Sequence, residues 1–243
     1  MIWKILIGLG IAGTTVWGMK VPPAEGFMNP DLARILFWHL PNAFITVVFL
    51  FAAAVFSIKT LRMRGDAMAD QKAATANELA FLFALITMVT GILFSKVQWG
   101  EWWSWDPRQT SFLFVLLILF AYFALRSAFA DSAKRAVNSA AYCIAALIPI
   151  LFLIFVLPRM PQVQSLHPSN TIVGGGLKGD YWNVVLANFV LFLAVAIWLF
   201  RMRVRAGELE LSLENRHGNL DDGGDRAATG VVRPLSVSDD GGP

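Results

Sequence analysis

Charged and polar residues fall along this chain in clusters, and between them lie six uncharged, mostly apolar runs at residues 5–18, 40–58, 79–95, 109–125, 136–157 and 181–200. A helix that crosses a bilayer needs roughly 17–25 apolar residues, and a spanning backbone must satisfy its own polar groups. The runs therefore predict an all-α polytopic membrane protein with six transmembrane helices. Composition agrees: 56% of the 243 residues are hydrophobic and mean hydropathy is +0.58, above the roughly half-apolar usage of soluble domains. The first run is the shortest, and Lys4 followed by apolar residues also fits a signal peptide. Val21-Pro22-Pro23-Ala24 is a poor cleavage site, so an uncleaved helix is the preferred reading.

Basic residues set the orientation. Lys4, Lys59, Arg62, Arg64, Lys72, Arg126, Lys134, Arg135, Arg201, Arg203 and Arg205 fall on one side, and Lys20, Arg34, Lys96, Arg108, Arg159 and Lys178 on the other. The richer side should be cytoplasmic, with both termini there and the loop around 96–109 facing outward. A net charge of +3 is then explained by topology, and no basic array with interleaved aromatics suggests nucleic acid. The expected division is a membrane domain over 1–205 and a disordered acidic cytoplasmic tail over 206–243, where Gly, Asp, Glu, Arg and Ser take over. Cys143, alone in the fifth run, has no disulfide partner in the chain.

The outer loops carry the chemistry. Residues 99–111 read Trp-Gly-Glu-Trp-Trp-Ser-Trp-Asp-Pro-Arg-Gln-Thr-Ser. Asp106, Pro107 and Gln109 suit N-cap, first and third helical positions, so helix four should open there. Trp99, Trp102 and Trp103 are spaced i, i+3, i+4 and would share a face if the loop were helical, with Trp105 pointing elsewhere. His39 precedes Pro41, which suits the first turn of helix two. His167 lies in the last outer loop, after Pro158 and Pro161 end helix five. His217 falls in the acidic tail and reads as a solvated residue.

Haem is a flat apolar macrocycle with two propionates and an iron that takes axial nitrogen ligands. An indole face, two imidazoles and the outer cations Arg108, Arg34, Arg159 and Lys178 supply matching chemistry. The plainer alternatives are an interfacial aromatic belt and polar residues at head-group level. Asp106 is expected to cap helix four and also to hold Arg108 or an indole N–H, and Glu101 receives no role. The runs contain no central Asp, Glu, Lys or Arg such as ion-coupled transporters bury, and no Walker, Gly-x-Ser-x-Gly or His-Glu-x-x-His motif occurs.

The tryptophan motif, the His-x-Pro at 39–41 and the later His167 resemble the haem exporter protein C (CcmC) family of cytochrome c maturation. The resemblance implies that Trp99, Trp102, Trp103, Trp105 and Asp106 form a haem platform, with His39 and His167 as axial ligands; among the outer cations Arg108 is the one expected to pair with a propionate. It implies haem b as bound cargo at the outer face of the bacterial cytoplasmic membrane, passed to a CcmE-like chaperone. It also implies an ABC-type complex with CcmA-like, CcmB-like and small CcmD-like subunits, and handover in place of turnover chemistry. Val163-Gln164-Ser165 departs from relatives with tryptophans before the second histidine. Alternatives are a CcsA-type haem lyase or synthetase subunit, which would need a further histidine pair inside the membrane, and a structural subunit of an ABC-type transporter that binds no haem.

Overall fold

The computed structural model describes residues 2–24, 26–63, 66–167 and 179–228, with side chains in the last helix described to residue 213. Six helices carry the chain: α1 (Ile2–Lys20), α2 (Leu36–Arg62), α3 (Ala67–Trp99), α4 (Pro107–Ser127), α5 (Ser132–Leu151) and α6 (Asp180–Ala228). Each is long and apolar enough to cross a membrane, and no strand occurs among the described residues. The chain divides into two units, residues 1–204 and 205–243.

In the first unit α2 packs along α3. Ala53, Ala76, Ala80 and Ala84 are fully buried; small side chains let helix backbones approach closely where water supplies no driving force between helices. Around them Ile45, Leu79, Val115, Tyr122, Ile150 and Ala196 build the main core. Away from the tryptophan loop, a bidentate pair joins Arg126 to the buried Asp70 at 2.8 and 2.6 Å.

Two prolines shape the site. Helix α2 starts earlier than the sequence suggests, at Leu36, behind a 3₁₀ turn over Leu32–Ile35, so Pro41 lies inside the helix and not in its first turn. A proline there has no N–H to give the carbonyl four residues back. That carbonyl, of Phe37, instead accepts from Asn188 Nδ2 of α6 at 2.9 Å, while Thr14 of α1 donates to Asn188 Oδ1 at 2.5 Å. Gly18 lets α1 reach the same place, since a Cβ there would lie 2.9 Å from the Phe37 ring. Three helices are thus fastened beside His39. At the end of α5, Pro149 precedes a π-helical turn, Phe152–Val156, and a 3₁₀ turn, Leu157–Arg159. Arg159 Nη1 donates to the carbonyls of Ile154 and Phe155 at 3.3 and 3.0 Å, covering acceptors released by the irregular turns.

The composition change at 206 does not end α6. The helix continues to Ala228; Ala206, Glu208, Leu209, Glu210 and Leu211 are strong helix formers that carry it past Gly207. A disordered tail starting at 206 is therefore corrected for 206–228, and 229–243 lie outside the described residues.

Candidate functional site

His39 and His167 line one cleft of about 260 Å³, walled by apolar residues of α2, α3, α4 and the irregular end of α5, with Arg108 and Arg159 also on its lining. This is near the lower bound of ordinary ligand pockets, roughly 300 Å³.

His39 is the fourth residue of α2. Its Nδ1 lies 3.0 Å from Thr90 Oγ1 on α3. The Thr90 hydroxyl has its own acceptors in the carbonyls of Ile86 and Thr87, at 2.8 and 3.1 Å. With that proton committed, Thr90 is the acceptor and His39 the donor, which fixes the proton on Nδ1 and leaves the Nε2 lone pair free. Gly91 makes room for the ring: a Cβ there would stand 3.2 Å from His39 Cε1.

His167 is oriented by a carboxylate. Its Nδ1 lies 3.1 Å from Asp106 Oδ1. The same carboxylate accepts from the Ser165 hydroxyl at 2.9 Å and the Leu166 N–H at 2.6 Å, and caps α4 by accepting the Arg108 N–H at 2.9 Å. Asp106 is only 4% exposed. Burial by itself would raise its pKa, but hydrogen bonding and charge from His167, with the Leu166 and Ser165 donors, outweigh it and hold the carboxyl well below the usual range. Asp106 thus ties the tryptophan loop, α4 and the His167 loop together. The sequence reading assigned it the cap and an Arg108 or indole partner. It makes the cap through the Arg108 backbone, and its side-chain partners are His167 and Ser165.

The tryptophans do not form one face. Helix α3 ends at Trp99 because Gly100 turns left-handed at φ 82°, the conformation glycine adopts most easily, so the residues after it leave the helical register. Trp99 reaches the site, with its ring centroid 4.7 Å from that of His167 and 5.5 Å from Phe94. Trp103 packs on the main core. Trp102 and Trp105 are 56% and 74% exposed, and Lys96 Nζ sits 5.8 Å from the Trp102 ring centre. Trp105, edge-on to Trp103, holds φ 56°, a strained value for a bulky residue. Gln109 locks the loop, donating to the Trp102 carbonyl at 3.1 Å and accepting the Ser104 N–H at 3.3 Å; it does not reach back to its own N-cap as a capping box would.

The cations divide. Arg108 Nε and Nη2 are buried without a hydrogen-bond partner, so a guanidinium edge on the cleft lining lacks an acceptor. Arg34 is spent on the carbonyls of Gly18 and Val21 and on Asp31, which removes it from the candidate set. The side chains of Lys178 and His217 lie outside the described residues.

Thr90, Gly91 and Ser165 were missed from sequence. Thr90-Gly91 sits late in an apolar run, where a helix-weakening glycine was the one available signal.

The donor set suits haem: two imidazoles on one cleft, aromatic walls, and an unpaired guanidinium for an acid group. The family model for CcmC, Heme exporter protein C, matches residues 1–218. The chain is similar to Heme exporter protein C of Haemophilus influenzae, 29% identical over 212 residues covering 83% of this chain and 79% of that one. It is similar also to the proteins of that name from Paracoccus denitrificans, 27% identical over 208 residues (83% and 85% covered), and Rhodobacter capsulatus, 29% over 215 (83% and 84%).

Proposed function

This chain belongs to the haem exporter protein C family, and from that premise we propose that its cleft holds haem for delivery in cytochrome c maturation. The observation that carries the reading is the pair of histidines on one cleft, each with Nδ1 hydrogen-bonded and with no partner for Nε2 among the described residues, beside the partnerless edge of Arg108. His39 and His167 supply the axial nitrogens, Arg108 receives a propionate with Arg159 beside it, and Trp99 buttresses His167. Bound haem b supplies an iron centre with two sites for nitrogen ligands. The protein's part is to hold it without converting it. Cys143 lies apart from this cleft, against Asn77 at 3.4 Å, and supplies no nucleophile to it.

The excess of basic residues on one side supports cytoplasmic termini and a cleft at the outer face of a bacterial inner membrane. There the cargo is passed to a CcmE-like chaperone, within a complex that includes ABC-type CcmA-like and CcmB-like subunits and a CcmD-like subunit. Trp102 and Trp105 are exposed and are available to that partner or to lipid head groups.

The test is a haem titration of detergent-purified protein, followed by absorption in oxidised and reduced states, for wild type, His39→Ala and His167→Ala. Saturable binding with a low-spin spectrum, converted to high spin by either substitution, supports the reading. A spectrum indifferent to both substitutions sinks it.

A further inference from the structure

Resting on the haem reading above, we infer that the two axial histidines are unequal ligands and that an incoming ligand displaces His39 first. The asymmetry lies in what each Nδ1–H faces. His167 donates to the buried, ionised Asp106, which three further donors hold in place. A hydrogen bond to an anion is roughly twice as strong as a neutral one, and a carboxylate on the far nitrogen raises the basicity of a ligating imidazole. His39 donates to a neutral hydroxyl whose own proton is committed to helix carbonyls. Its Nε2 is the weaker donor. Trp99 adds to the difference by packing against His167.

Handover then has an order. The bond from His39 Nε2 breaks, and a neutral lone-pair donor of the acceptor protein takes its place. His39 keeps its electron pair, the new ligand supplies its own, and neither protons nor oxidation state change. His167 retains the cargo until the acceptor holds it. Thr90 and Asp106 are positioning residues, acting through the rings they orient.

Carbon monoxide added to the full-length, ferrous, haem-loaded protein in detergent is the probe, because it replaces one axial ligand and its vibrations report the ligand opposite. Thr90→Val is expected to raise apparent carbon monoxide affinity roughly 10-fold while leaving the Fe–C and C–O stretching frequencies as in wild type. Asp106→Asn is expected to shift those frequencies, since His167 stays bound opposite the carbon monoxide. Should Asp106→Asn fail to fold, Gly91→Ala, which crowds only His39, is expected to raise the affinity as Thr90→Val does. The inference is overturned if Thr90→Val moves the frequencies, or if neither Thr90→Val nor Gly91→Ala changes the affinity. A wild-type protein with no six-coordinate low-spin spectrum would instead remove the haem reading beneath it.

Discussion

Gly91→Ala should separate stability from ligand binding. The glycine lies within α3 beside His39, and an added Cβ would stand 3.2 Å from His39 Cε1 and 3.7 Å from Nδ1. The first distance is closer than ordinary contact, so the imidazole must give way by a few tenths of an ångström. Alanine gains roughly 0.8–1.0 kcal/mol of helix propensity over glycine, whereas forcing the ring off its rotamer costs about 0.5–1.5 kcal/mol. The two nearly cancel, and the thermal midpoint in detergent should barely move. Binding has no such compensation. The displaced ring stretches its 3.0 Å contact with Thr90 and misdirects Nε2, and loss of such outer-shell support costs roughly 10–100-fold in metal affinity. Gly13→Ala is the control, because a Cβ there meets nothing within 4 Å. Melting curves and Soret titrations on both variants decide it. Wild-type haem affinity in Gly91→Ala would refute the argument that this glycine exists to admit the ring.

Arg108→Ala is expected to weaken haem binding roughly 10–150-fold, in line with loss of one charged hydrogen bond of roughly 1.5–3 kcal/mol, and to have little effect on haem dimethyl ester; equal losses for both ligands would remove the propionate role. Asp106 has its pKa lowered on folding, so its stabilisation is complete above the ordinary value of 3.8 and disappears as pH falls through the lowered one. Melting of the haem-free protein should therefore show the full gap between wild type and Asp106→Asn at pH 5, narrowing only in stronger acid; a gap already closed at pH 5 would contradict this. Asn188→Leu strands the Phe37 carbonyl left open by Pro41, at a cost of about 1–3 kcal/mol. A lower melting temperature in this variant checks the assignment, and no change would show that another donor covers the carbonyl.

The six helices were legible because membrane spans announce themselves through uncharged length, and the helix-four start because Asp106-Pro107 is a local signal. The two histidines were legible as candidates because both lie in the loops and helix end on the tryptophan-loop side. Pro41 misplaced the start of α2, since the donor that tolerates it, Asn188, is 151 residues away in sequence from Phe37. The indole spacing suggested a face only while the loop was taken as helical, and Gly100 breaks the register after Trp99. Asp106 looked like a cap because its cap partner is two residues off, whereas its His167 partner is 61 away. Thr90 gives no signal of its own and Gly91 only that of a glycine within an apolar helix, because their meaning depends on which ring α2 presents to α3.

The proposed function depends on ligation of one iron by both His39 and His167. Electron paramagnetic resonance of the ferric, haem-loaded wild-type protein, repeated on His39→Ala and His167→Ala, reads it most directly. Ligation by both histidines requires a low-spin bis-imidazole signal in wild type and a high-spin signal in each variant, with low spin restored by added imidazole. A wild-type signal from a five-coordinate or single-histidine iron would contradict it.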